Sequence, residues 1–248
     1  MNSLILSDIH GNLAALESVL TCSGIRYDSV IFLGDLIDYG PHSNEVAALM
    51  ESLKQRVPFL CNLRGNHEDS IINNDYGRFS SERGRQCARY TRRNLSKKTW
   101  DYIQRVMEGT GLSKFSIDGK KCLAVHGSLE DIYWKAIKPG DDLGQNHRWE
   151  EYRGYDYVFS GHSHIPHFFE VFFPVENPLY RNKKKTVFIN PGSVGQPRNH
   201  SPLAQFSVLD TETGAVRMGR VVYDVKKERL AFSDDIDLFY QERLGIGV

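Results

Sequence analysis

The chain has 248 residues, 31 Lys+Arg against 31 Asp+Glu, 40% hydrophobic and 25% charged residues, and a pI near 7.1. That balance excludes disorder and low-complexity architecture, and the length suffices to bury a core without disulfide or metal staples. Zero net charge counts against a protein that coats nucleic acid or a membrane surface, but it leaves room for a local site for a phosphorylated ligand. The run from Met1 to Asp8 has no basic stretch and only three consecutive apolar residues, so no signal peptide is expected. No segment approaches the ~18 apolar residues of a membrane span. The four cysteines, Cys22, Cys61, Cys87 and Cys122, form no C-x-x-C pair, which fits reduced structural thiols in a cytoplasmic protein.

The predicted elements begin with a buried strand at Leu4-Ile5-Leu6. A helix follows, capped by Asn12, with Leu13, Leu16, Val19 and Leu20 on its apolar face. Val30 to Leu33 reads as a second strand. Ser43 is expected to cap a second helix whose inner face uses Val46, Met50, Leu53 and Val57. Pro58 ends that helix, and Phe59-Leu60-Cys61 opens a third strand. This alternation predicts βαβ units around a largely parallel sheet. Residues 70–113 are polar, basic in places and without strand runs. They read as a helical insertion, with Ser96 capping a helix through Trp100, Ile103 and Val106.

From about residue 114 the pattern turns strand-rich. Phe115-Ser116-Ile117 and Cys122 to Val125 flank the hairpin signal Asp118-Gly119. Further strands are expected at Tyr157-Val158-Phe159, Phe168 to Phe173, Val187-Phe188-Ile189, Phe206 to Leu209 and Val221-Val222-Tyr223, with a turn at Thr213-Gly214. Lys183-Lys184-Lys185 reads as a solvated hairpin tip. No repeat or linker is visible, so residues 1–248 are taken as a single domain.

Five of the apolar runs are each followed at once by residue types that bind metal. These are Asp8-Ile9-His10, Gly34-Asp35-Leu36-Ile37-Asp38, Gly65-Asn66-His67-Glu68, His126 and Gly161-His162-Ser163-His164. In α/β sheets, ligands bind beyond the carboxyl ends of strands, where loops distant in sequence converge. Each fragment alone is weak, but all five at strand ends predict one site with about seven oxygen and nitrogen donors. Five of the nine histidines lie inside these fragments.

The set resembles the calcineurin-like metallophosphoesterase superfamily, whose pattern is D-x-H, G-D-x-x-D, G-N-H-D/E, H and G-H-x-H. The resemblance runs from residue 5 to about residue 223. Gly40-Pro41 and the segment Asn190-Pro191-Gly192-Ser193-Val194-Gly195-Gln196-Pro197-Arg198 look most like the compact prokaryotic phosphodiesterase branch. The resemblance implies a four-layer α/β/β/α sandwich and a dinuclear metal site. Asp8, His10 and His164 would hold one divalent ion; Asn66, His126 and His162 would hold the other; Asp35 would bridge them. Manganese is the first expectation, with Fe, Zn, Ni or Co also suited to these donors, and the absence of thiolates argues against a closed structural zinc site. Such a pair shares a water, lowers its pKa and presents hydroxide to phosphorus. His67 would protonate or hydrogen-bond the leaving oxygen, and Asp38 would orient His67. Arg198 could fork onto a substrate phosphate, and Tyr39 could line the mouth and stack on a base.

The expected activity is hydrolysis of a small phosphorylated substrate, a nucleotide or dinucleotide, by a phosphodiesterase or phosphatase. Leu63 to Glu68 also resembles protein phosphatases and diadenosine tetraphosphatases. Those enzymes carry Arg where Tyr39 stands, and they lack the paired His162 and His164. The alternative from another class is a non-catalytic interaction subunit, which would be free to lose His67. No membrane and no long nucleic acid is expected as a partner, and a homo-oligomer is compatible with the sequence. The basic cluster Arg83-Arg85-Arg89-Arg92-Arg93-Lys97-Lys98 reads as a solvated helix face, or as a holder of a second phosphate if it flanks the site. Arg64 either meets phosphate or anchors its loop.

Overall fold

The computed structural model describes residues 1–140, 146–177, 179 and 184–248. Its first sheet has the order β10-β9-β1-β2-β3, with β1 (Asn2–Leu6), β2 (Ser29–Phe32), β3 (Phe59–Asn62), β9 (Ala204–Asp210) and β10 (Val216–Val221). Strands β1, β2 and β3 are parallel, and β9 runs antiparallel to β1. The second sheet has the order β4-β5-β6-β8-β7, from β4 (Leu112–Ile117), β5 (Lys120–Val125), β6 (Tyr157–Ser160), β7 (His167–Phe172) and β8 (Lys185–Asn190). Here β5, β6 and β8 are parallel, with antiparallel β4 and β7 at the edges.

Side chains alternate across a strand, and that alternation divides the core. Ile5, Ile31 and Leu33 face Cys122, Ala124 and Phe159 of the other sheet. Leu4, Leu6, Val30 and Phe32 face the opposite way, onto the helices. Those helices are α1 (Leu13–Leu20), α2 (Ser43–Arg56), α3 (Asn66–Asn73), α4 (Glu82–Asn94) and α5 (Lys97–Arg105). The outer face of the second sheet, through Leu123, Val125, Val158 and Phe188, is covered by Trp149 and Tyr152 of the 3-10 helix Asn146–Tyr152. The expected two-sheet sandwich flanked by helices is therefore present. The insertion resolves into α4 and α5, with α3 already begun at Asn66.

Local sequence explains most boundaries. The Asn12 side chain accepts from Ala15 N and starts α1; the Ser96 hydroxyl accepts from Thr99 N and starts α5. Asp118 and Gly119 both have positive φ, 47° and 77°, as a two-residue hairpin with the sheet's twist requires. Three expectations are corrected. The residue preceding α2 is His42, and Ser43 is its first residue; the Ser43 hydroxyl accepts the Asp38 N–H instead of capping the helix. The last strand runs over Val216–Val221, so Val222 and Tyr223 lie beyond it, and Tyr223 is drawn inward by a hydrogen bond to Asn12. Two short C-terminal helices, α6 (Val225–Leu230) and α7 (Leu238–Arg243), were not foreseen. Of the lysine run, Lys183 lies outside the described residues, and Lys184 leads into β8. No described helix is long and apolar enough to cross a membrane. All four cysteines are free.

Candidate metal centre

The loops that follow β1, β2, β3, β5 and β6 meet at one edge of the sandwich. Asp8, His10, Asp35 and His164 offer ligand atoms within 4.8 Å of one another, and so do Asp35, His126 and His162. Asp35 belongs to both groups. Asn66 Oδ1 lies 3.0 Å from both His126 Nε2 and His162 Nδ1. The structure thus brings together all seven residues singled out as ligands.

The backbone is bent to do this. Asp8, His10, Asp35, Asp38, Tyr39, His162 and His164 all have positive φ, between 49° and 73°. Such conformations cost non-glycine residues free energy and concentrate at functional sites. Gly65 permits the close approach of the third loop, since a Cβ there would lie 2.1 Å from Asp35 Oδ1. The loop around Ser193 braces the first: Ser193 Oγ donates to Asp8 O at 2.6 Å, and Gly195 N donates to the same oxygen at 3.1 Å. The buried Glu68 carboxylate accepts from Gly65, Asp35 and Ile37 N–H groups, so one side chain clamps the second loop to the third. Burial, and then the charge of Asp35, push the Glu68 carboxyl up to about 7.

Whether these donors suit a cation can be tested on the imidazoles. His10 Nδ1 lies against Ile37 O and His164 Nδ1 against Gln196 O, so both rings spend their N–H on carbonyls. Burial drives both imidazoles below their ordinary pKa, so both are neutral at pH 7. Their Nε2 atoms, 3.2 Å apart, therefore present lone pair to lone pair. Asp8 Oδ1, also buried, accepts no aligned hydrogen bond, although His164 Nε2 is 3.2 Å away. Two acceptors and an unsatisfied carboxylate oxygen facing one another are unfavourable alone and are satisfied by a divalent cation. In the second group, burial and then His126 lower His162 to about 3. Burial alone would lower His126, but Asp35, 3.2 Å away, outweighs it and raises His126 to about 9. The donor set fits a pair of divalent ions.

His67 stands beside this cluster. Its Nδ1 lies 2.7 Å from Asp38 Oδ2, and Thr91 Oγ1 donates to the other Asp38 oxygen at 2.7 Å. Burial opposes protonation of His67, but Asp35 and Asp38 raise its pKa. Tyr39 packs on His67 and His10 and stacks on Tyr240, with centroids 4.5 Å apart. A cavity of about 720 Å³ opens over the cluster, lined by Asp35, His67, His162 and His164, and by Tyr39 and Arg198. Arg64 does not reach it: its guanidinium donates to Ile103 O and Gln104 O and anchors the loop on α5. Of the basic cluster only Arg83 lines the cavity; Arg85 and Arg89 pair with Glu82, and Lys97 pairs with Asp101.

Sequence reasoning missed the far wall. There α7 supplies Phe239, Tyr240 and Arg243, while Phe79 and Trp134, also unforeseen, pack on the metal side against His67 and His162. Nothing local in Leu-Phe-Tyr-Gln-Glu-Arg marks a ligand site, because its role comes from where α7 docks.

Known proteins resemble this chain in sequence and in fold. The chain is 30% identical to an uncharacterized protein of Methanocaldococcus jannaschii, over 90% of this chain and 88% of that one. It is 34% identical to a putative serine/threonine-protein phosphatase of Schizosaccharomyces pombe, over 50% of this chain and 38% of that one. The crystal structure of a metallophosphoesterase from Sphaerobacter thermophilus superposes with a TM-score of 0.76 at 27% identity, covering both chains fully. A hypothetical protein of Pyrococcus horikoshii OT3 shares the fold, with a TM-score of 0.74 at 19% identity over 96% of this chain and 97% of that one. Residues 1–214 match the model of the calcineurin-like phosphoesterase superfamily domain. The chain belongs to the calcineurin-like phosphoesterase superfamily.

Proposed function

We propose that this protein is a dinuclear metal-dependent phosphoester hydrolase acting on a compact phosphorylated substrate of the nucleotide or dinucleotide kind. The observation that carries this reading is the convergence of imidazole lone pairs and two buried carboxylates beneath a cavity whose wall holds the His67–Asp38 pair. Asp8, His10 and His164 would hold one ion, Asn66, His126 and His162 the other, with Asp35 between them. Manganese is the first expectation, followed by Fe, Zn, Ni or Co. When bound, the two ions supply water activation and neutralise charge on the phosphoryl oxygens.

The chain's own residues do the rest. Asp38 accepts from His67 Nδ1 and so fixes the ring, leaving Nε2 as the nitrogen able to give a proton to the leaving oxygen. Thr91 and Ser43 hold Asp38 in turn. Arg198, at the cavity wall, offers a fork to a phosphoryl oxygen. Similarity to a putative protein phosphatase covers half of the chain and keeps a phosphomonoesterase as the second reading. Tyr39, where that branch carries its phosphate-anchoring Arg, weighs for the diesterase. An intact His67–Asp38 pair weighs against a purely structural subunit.

The test is hydrolysis of bis-p-nitrophenyl phosphate by protein loaded with Mn, Ni or Co, alongside a nucleotide panel. Turnover that disappears with a chelator and returns with metal is the expected result. Fully metallated protein inert toward phosphodiesters, phosphomonoesters and nucleotides would overturn the reading.

A further inference from the structure

The cavity above the metal centre has an unusual charge distribution. Asp35 is the single carboxylate among its described lining residues, yet four arginines line it. Arg78 is already paired with Asp131 at 2.6 Å. The other three, Arg83, Arg198 and Arg243, have no Asp or Glu side chain within ion-pair distance among the described residues. Arg83 and Arg243 both lie over the Phe239 ring, 4.4 and 4.9 Å from its centroid. Arg243 is 8% exposed, and its Nε donates to a main-chain oxygen of Val248. The Nε of Arg198 is buried and makes no hydrogen bond.

Three guanidinium groups gathered with no Asp or Glu partner of their own repel one another. Burial, and then the nearby charge of Arg198, hold Arg243 down to about 10. Of the three, Arg198 is tied to the metal side: its backbone N–H donates to His164 O at 3.2 Å. Arg243 and Arg83 share the Phe239 ring of α7. The row thus leads away from the metals toward α7, which lies outside the span matched by the family domain.

We propose that Arg83, Arg198 and Arg243 form a second anion subsite in this cavity, and that the substrate carries a second phosphate group beyond the one that is cleaved. This rests on the hydrolase reading above for where the first phosphate sits. Guanidinium forks match phosphate oxygens in pairs and bind them more strongly than neutral donors do. A linear oligophosphate ester satisfies both ends of the row. A cyclic nucleotide, with one diester charge, satisfies the metal end and leaves Arg83 and Arg243 unpaired.

The subsite can be tested without metal, by calorimetric titration of the chelator-stripped chain with inorganic tripolyphosphate, using orthophosphate for comparison. Tripolyphosphate is expected to bind more tightly than orthophosphate. Arg83→Met and Arg243→Met should each weaken it about tenfold. Arg93→Met, on an exposed turn of α4 and not among the cavity residues, should bind as wild type does. Arg83 is exposed, so its variant keeps the test decisive even if Arg243→Met fails to fold. Absence of binding, no preference over orthophosphate, or wild-type affinity in Arg83→Met would each overturn the subsite. Intact binding in a chain that shows no turnover when metallated would support the subsite and sink the hydrolase reading instead.

Discussion

Two regions meet at the cavity and are built differently. The metal side comes from five loops, each leaving the carboxyl end of a buried parallel strand, and its donors are fixed by backbone carbonyls. The opposite wall comes from α7 and the start of α4, surface helices whose contribution is long side chains stacked on one another. The first region holds its atoms through the sheet and suits chemistry that tolerates little displacement. The second holds them through side-chain packing, and it is suited to setting which molecule is accepted.

On this division the largest effect belongs to Asp35→Asn, which weakens both candidate ion sites at once. Metal content should fall well below two per chain and turnover to background, measured by elemental analysis and steady-state rates. Next is His67→Ala, at the seam between the regions: it should keep both ions and lower kcat by about 10²–10⁴-fold. Retention of wild-type rates would remove His67 from the proton-transfer role. Tyr240→Ala, on the far wall, should raise KM several-fold while changing kcat little and metal content not at all. Because Tyr240 is buried, it should also cost about 3 kcal/mol of stability in denaturant unfolding. A loss of metal in this variant would break the comparison.

The smallest effect concerns how the C-terminal segment is tied to the rest. Buried Glu228 of α6 accepts from His42 Nδ1 at 2.8 Å and from the N–H groups of Leu13 and Ala14. The hydrogen bond to Glu228 raises the pKa of His42 above its ordinary 6.5, against the opposing effect of burial. A pKa raised on folding stabilises the folded chain fully below the unfolded value and fades as pH rises through the folded one. His42→Ala should therefore cost about 1 kcal/mol at about pH 5 and less at about pH 9, read from urea midpoints.

The same division explains what could be read from the sequence. The buried strands announced themselves as apolar runs, and the ligand types followed directly after them, so fold and metal side were both visible locally. Asn12 and Ser96 were legible because capping is a contact over three residues. Ser43 was misread because its hydroxyl serves Asp38, a neighbour made by a tight left-handed turn rather than by the helix. Glu68 is part of a visible motif, but two of its three backbone contacts reach residues more than thirty positions away. The last strand was displaced because Val216–Val221 alternates polar and apolar side chains at a sheet edge, a weaker signal than the Val-Val-Tyr run after it. The α7 wall left no trace, since six mixed residues gain meaning only once docked against Tyr39 and α4.

One feature of the metal side bears on how its donors are held. Beyond the last paired residues of β1 and β2, the two loops continue to bond: Asp8 N to Gly34 O, His10 N to Asp35 O and Gly11 N to Leu36 O, all at 2.9–3.0 Å. This zipper runs past the sheet edge and joins Asp8 and His10 of the first loop to Asp35 of the second. The Asp8, His10 and Asp35 donors of the first candidate group are thereby placed relative to one another by a backbone ladder. The first two loops are held together as one unit, and that unit carries Asp35, the residue the two candidate donor groups share.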